Sequence, residues 1–293
     1  MRTAPGTKGS GHRVQGRMEF LEYLQYGFIQ RALLCGSFIA LLCSTLGVIL
    51  VLRRFSLIGD GLAHVTFGSV ALGLFFRIYP LYVSIPLVML CSLGILKLTQ
   101  RARLYGDAAI GVVSSFGIAG GVLLASVAGG FNVDLFSYLF GNILAIGQGE
   151  MVISIALSIV VLAVILLFFN DIFSMTFDEE FARVSGIGTE RLNTILVLLT
   201  AVTVVLSMNV VGIMLISALL ILPAVTALQL ARGFKDAMLI SACAALASVV
   251  GGVFISLAMN LPTGATIVMT NFLLFLTAFA FRVARQRSRA AKL

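Results

Sequence analysis

Asp60 and His64 stand four apart in Ser56-Leu57-Ile58-Gly59-Asp60-Gly61-Leu62-Ala63-His64-Val65-Thr66-Phe67-Gly68, near the head of an apolar stretch that runs on to Phe76. On a helix that spacing puts both side chains on one face, one above the other. A carboxylate and an imidazole so placed offer an oxygen and a nitrogen to a transition-metal ion. They would equally serve as a self-satisfied pair that holds two helices together. His64 is one of only two histidines, and the other, His12, sits in a polar tail. Two features favour the metal. Gly59, Gly61 and Gly68 flank the pair and let another backbone come close. His64 also falls about ten residues past Arg53-Arg54, which by helix rise is near mid-membrane, where transporters keep their substrate sites.

The elements that must position this pair are membrane helices. Hydrophobic residues make up 60% of the 293 and charged residues 11%, far from a soluble composition, and apolar stretches long enough to cross a bilayer recur along the chain. No polar segment has domain size, so residues 18–283 read as one all-α, polytopic membrane domain. About nine spans are expected (eight to ten): 28–52, 56–76, 80–98, 108–128, 150–170, 192–208, 210–231, 237–258 and 263–283. Spans six and seven are joined by almost nothing, around Met208-Asn209. The piece Asp134–Ile146 is too short to span comfortably and reads as a re-entrant or surface helix. Cys35, Cys43, Cys91 and Cys243 all lie in apolar runs without CxxC spacing and read as small buried hydrophobes.

The net charge of +8 does not point to nucleic acid, because the basic residues sit in short loops and tails. If the loop after the first span is cytoplasmic, that side collects Arg53, Arg54, Lys97, Arg101, Arg103, Arg183, Arg191, Arg232, Lys235 and the C-terminal Arg282, Arg285, Arg287, Arg289 and Lys292, against Arg77 alone on the other. The basic N-terminal tail then falls outside, against the rule. Residues 1–17 are therefore expected to be a non-native start ahead of Met18. The rival is a cytoplasmic N-terminus, with the 134–146 piece joining a further crossing. The tail has no apolar core of its own and is no signal peptide. Residues 284–293 read as a basic cytoplasmic tail.

The most charged stretch between spans is Phe177-Asp178-Glu179-Glu180-Phe181-Ala182-Arg183-Val184-Ser185-Gly186-Ile187-Gly188. Acidic residues at its start and Gly186 as a stop describe a short capped helix. A solvated loop accounts for it too. On the cytoplasmic side, though, a helix lying on the membrane face is what a permease needs to receive force from a partner. Polar or helix-breaking residues inside spans come third: Asp107, Asn209, Pro223, Pro262, Thr263, Gly264 and Asn271. Most read as packing features, although broken helices also line transport cavities. Asp134, Asn132 and Asn142 are candidates for an entrance. The chain has no GxxxxGK[ST] loop, no HExxH and no GxSxG, so nucleotide hydrolysis, intramembrane zinc proteolysis and serine chemistry find no support.

Taken together, several segments are similar to the integral-membrane permease of bacterial ABC importers for zinc, manganese and iron(II). They are Leu52–His64, Gly106-Asp107-Ala108-Ala109-Ile110-Gly111, Asp134-Leu135-Phe136-Ser137-Tyr138-Leu139-Phe140-Gly141, Val211–Leu220 with Pro223-Ala224, and Leu261–Thr266. The resemblance covers nearly all of 18–283. It implies a cobalamin-importer-like, type II ABC permease in the bacterial plasma membrane that homodimerises over a cytoplasmic ABC ATPase dimer and under an extracytoplasmic metal-binding protein. It also implies that Asp60 and His64 lie on the metal path. The coupling loop of about 171–191 would then meet the ATPase through Asp178, Glu179, Glu180, Ala182, Arg183 and Gly186, where Glu180-Phe181-Ala182 departs from the family's Glu-Ala-Ala element. Asp107, Asp134, Asn209 and Pro223 are candidates for path or gate. The expected function is ATP-driven import of a divalent transition metal, zinc first and manganese or iron(II) as alternatives, with no permanently bound cofactor and ATP on the partner. A proton-driven secondary transporter using Asp60–His64 as relay is the rival from another class. A structural subunit, with the pair as interhelical glue, is the third reading.

Overall fold

In a hydrocarbon environment every backbone amide must find a partner within the protein, which leaves helices as the solution for a chain this apolar. A computed structural model of the chain describes residues 26–101, 105–127 and 146–290, of which the side chains of 101, 209, 214 and 288–290 are left aside. The N-terminal tail and residues Asn132, Asp134 and Asn142 lie outside the described residues.

The described residues form eleven helices. These are α1 (Gly27–Leu52), α2 (Ile58–Phe75), α3 (Pro80–Arg101), α4 (Gly106–Val127), α5 (Gln148–Leu167), α6 (Phe169–Phe177), α7 (Glu179–Val184), α8 (Thr189–Val211), α9 (Ile213–Leu230), α10 (Phe234–Met259) and α11 (Thr263–Ala290). All but α6 and α7 follow the expected spans, with ends shifted by a few residues except at the C-terminus, where α11 continues past 283 to Ala290. Among the described residues, eight helices are long and apolar enough to cross a membrane, and the apolar stretch Leu215–Leu230 of α9 is shorter.

Two local features differ from expectation. The break expected at Met208-Asn209 lies instead at Gly212, whose φ of 82° and ψ of 166° suit glycine alone. Nothing at 208–209 disfavours helix, so α8 runs on to Val211. The flanking Val211 and Ile213 are buried, so the break is inside the protein and not at a solvated loop. The stretch 169–177, expected as the end of the fifth span and the start of the loop, is itself the helix α6. Its Phe169, Phe173 and Phe177 are four apart, share one face and pack on Phe234 of α10 with ring centroids 5.4–6.0 Å apart. That spacing was visible in the sequence as the signature of an amphipathic turn.

The helices α2 and α4 run parallel, with Gly61 opposite Ile110 and Gly68 opposite Gly117. A Cβ at Gly68 would stand 2.4 Å from the Gly117 carbonyl oxygen, and one at Gly117 would stand 2.7 Å from the Val65 Cα. The two backbones therefore touch. Gly68→Ala is expected to force the helices apart at a cost of about 1–3 kcal/mol. A lower melting temperature of the purified variant in detergent would record it, and an unchanged one would mean the backbones are not in contact.

Ser241 of α10 donates to the Ser44 carbonyl of α1 at 3.2 Å, and Arg282 of α11 donates to Gln229 of α9 at 2.5 Å. With helices alternating in direction, these contacts gather the Arg53-Arg54 turn, α6, α7, the α9–α10 loop and the end of α11 at one basic end of the bundle.

Candidate functional site

Asp60 and His64 occupy the first two turns of α2. Asp60 Oδ2 lies 3.6 Å from His64 Nε2, on one helix face as the spacing requires. That is too long for a hydrogen bond. It is close to the separation of about 3.4 Å that two donors bound about 2.1 Å from one tetrahedral ion would have. The second carboxylate oxygen, Oδ1, accepts from Ser217 Oγ of α9 at 2.9 Å. Ser217 is the member of this site that residue spacing did not single out, because it is 157 residues away in the chain. It holds the carboxylate from outside and leaves Oδ2 facing the imidazole.

The pair is open: the Asp60 side chain is 50% exposed and that of His64 32%. A half-exposed carboxylate within a membrane span is costly against lipid, so this face must meet water or another polar surface. His64 is also shallower than the residue count implied. Residues 53–57 form a turn, with Arg54 at φ 60°, and add no helical rise. From the start of α2, His64 is six residues in, about 9 Å along an 18-residue helix.

The expected capped helix is present. Asp178 accepts from the Phe181 N–H at 2.9 Å and caps α7. At the other end Gly186 takes φ 88°, and the Ile187 and Gly186 amides return to the Ala182 and Arg183 carbonyls, an ending that needs glycine at this position. Ala182 is buried, while Glu180 is exposed.

Glu179 turns inward. Its Oε2 accepts from Arg53 Nη2 at 3.0 Å and its Oε1 from Asn193 Nδ2 at 3.2 Å. Arg53 donates in turn to the Asn193 side chain, and Arg183 lies 3.8 Å from Glu179. The Arg53 side chain is only 12% exposed. Its burial pushes the guanidinium below the usual arginine range, and the Glu179 charge opposes that. Arg53, Glu179 and Asn193 thus join α7 and α8 to the turn from which α2 starts. Beside them is a cavity of about 220 Å³ whose wall includes Ile58, the first residue of α2.

The remaining candidates are not gathered at the pair. Asp107 is exposed in the first turn of α4, and among the described residues no hydrogen bond or ion pair joins it to Asp60 or His64. Pro223 is buried inside α9, six residues beyond Ser217. Asn209 is in α8, close to the Gly212 break. Asn271 is fully buried, and among the described residues neither of its amide atoms has a hydrogen-bond partner. The four cysteines are free thiols, of which Cys243 is exposed on α10 and so departs from the expected burial. No group of three or more His, Cys, Asp or Glu residues able to hold a metal occurs among the described residues.

Residues 25–282 match the ABC 3 transport family. The chain belongs to that family. The manganese import system permease protein ScaB of Streptococcus gordonii is 35% identical over 270 residues, 92% of this chain and 96% of ScaB. The high-affinity zinc uptake system membrane protein ZnuB of Haemophilus influenzae is 31% identical over 244 residues, 83% of this chain and 94% of ZnuB. Among solved structures, PsaBC of Streptococcus pneumoniae in complex with a Fab superposes with a TM-score of 0.80 at 32% identity, covering 90% of this chain and 95% of the matched chain. This family member is a multi-pass, all-helical permease, as its helices and its relatives agree.

Proposed function

We propose that the chain is the transmembrane permease of an ATP-driven importer whose cargo is a divalent transition-metal ion, passed between Asp60 and His64 of two copies of the chain. The observation that carries this reading is the oxygen–nitrogen pair 3.6 Å apart on an open face of α2, in a chain whose relatives are permeases of manganese and zinc systems. One copy supplies two donors. A second copy facing it would bring the number to four and would cover the exposed carboxylate. Four donors of mixed oxygen and nitrogen suit zinc, and we favour zinc over manganese for that reason. The 35% identity to ScaB supports manganese as the second reading, since geometry and not affinity order selects among these ions.

Force would enter at α7. Exposed Glu180 and Arg183, on a helix capped by Asp178 and closed at Gly186, would meet a separate cytoplasmic ATPase, and Glu179 would pass the displacement inward through Arg53. An extracytoplasmic metal-binding protein would deliver the ion.

The test is ATP hydrolysis by this chain assembled with its ATPase and metal-binding partners in proteoliposomes. Zinc is expected to stimulate hydrolysis at least about tenfold over magnesium–ATP alone. Stimulation by manganese and not zinc would transfer the reading to manganese. Metal uptake driven by a proton gradient, with no ATPase present, would overturn it.

A further inference from the structure

The basic end of the bundle carries a pocket that the transport reading leaves unused. It lies between the ends of α9 and α11, has a volume of about 390 Å³, and is lined by Gln229, Arg232, Phe281, Arg282, Arg285 and Gln286. Gln229 accepts from Arg282 and fixes that guanidinium against the wall. None of the three arginines forms an ion pair among the described residues. Three guanidinium groups around one hollow repel each other unless an anion sits among them.

An apolar groove of about 550 Å³ continues from this pocket along α9, α10 and α11. Leu230 and Phe281 belong to both hollows, so they are contiguous. The small side chains of Ala244 and Ala247 form part of the groove, and Ile240 and Leu274 line it further. Residues 240–247 are six to thirteen positions into α10, roughly 9–20 Å from its basic end, which is within the hydrocarbon layer and out of reach of a soluble protein.

We propose that the pocket and groove together bind one anionic glycerophospholipid of the cytoplasmic leaflet. Its phosphate lies among Arg232, Arg282 and Arg285, and one acyl chain lies along the groove. Basic pockets between helices on the cytoplasmic side recognise anionic headgroups, and the groove supplies what a free anion would not use. The leaflet follows from the basic end of the bundle and not from the identity of any cargo. The proposal therefore stands or falls apart from the metal reading.

Native mass spectrometry of the full chain in mild detergent, titrated with phosphatidylglycerol, tests this. Phosphatidylcholine of the same acyl chains and inorganic phosphate serve as competitors. One phosphatidylglycerol per chain is expected, retained at least about tenfold better than phosphatidylcholine. Arg232→Gln, Arg282→Gln and Arg285→Gln should each weaken retention about fivefold. Arg287→Gln, outside the pocket, should not. Ala247→Trp, on an exposed position of α10, should weaken retention while leaving the melting temperature of the lipid-free protein unchanged. Equal retention of both lipids would overturn the proposal. So would displacement by phosphate with no effect of Ala247→Trp, which would mark a free-anion site. Loss of ATPase-subunit binding in the arginine variants with phosphatidylglycerol still held would mark a protein contact and overturn it as well.

Discussion

His64→Ala is expected to lower metal transport by at least about 100-fold while the chain still inserts and assembles with its partners. Loss of an outer-shell partner typically costs 10- to 100-fold in metal affinity or activity, and removing a ligand removes more. Asp60→Ala should be equally severe, because it deletes the oxygen donor and leaves Ser217 without its acceptor. Ser217→Ala should be milder, about tenfold, since it only frees a carboxylate that remains in place. Uptake of radioactive zinc and manganese into proteoliposomes, normalised to assembled protein, separates these outcomes. The ranking is diagnostic. If the pair were only interhelical glue, all three variants would lower the yield of assembled protein, and uptake per assembled complex would be unchanged.

Glu179→Gln should uncouple the transporter. The substitution keeps an acceptor for Asn193 but removes the charge opposite Arg53, whose guanidinium is almost enclosed. Leaving that cation without its counter-charge costs about 1–3 kcal/mol, toward the lower end because Glu179 is 39% exposed and partly screened. A coupling free energy of about 1.4 kcal/mol is a factor of ten. ATP hydrolysis should therefore continue at close to its usual rate while metal moved per ATP falls about tenfold. Glu180→Ala, one position on but facing out, should instead weaken ATPase binding and lower hydrolysis and transport together. If Glu179→Gln also lowers both in proportion, the inward link through Arg53 is not how displacement travels.

Much of this was legible in the chain before any coordinates, for identifiable physical reasons. Helices of this length are dictated by apolar runs in a bilayer, so the spans appear with only their ends displaced. A pair at i and i+4 on one helix needs no tertiary information, and Asp60 and His64 meet as the spacing requires. The cap at Asp178 and the stop at Gly186 are equally local. What the chain concealed was long-range. Ser217 reaches Asp60, and Arg53 reaches Glu179 and Asn193, across 126–157 residues, and no single-element pattern announces such partners. A residue count overstates the depth of His64 for a local reason: residues 53–57 turn instead of rising. The α8–α9 boundary is hidden for a similar reason: an asparagine suggests a break at 208–209, whereas the chain breaks at a buried glycine three residues later.

The touching backbones of α2 and α4 also limit how the molecule can change shape. With no methyl-sized gap between Gly68 and Gly117, neither helix can rotate or ratchet past the other without a clash, so they travel as a single plank. On the opposite side, the Asp60 carboxylate is tied to α9 by one hydroxyl, a bond that water can replace at little cost. An alternation between outward and inward openings would then carry α2 and α4 together, and the Asp60–His64 pair would ride on the edge of that plank.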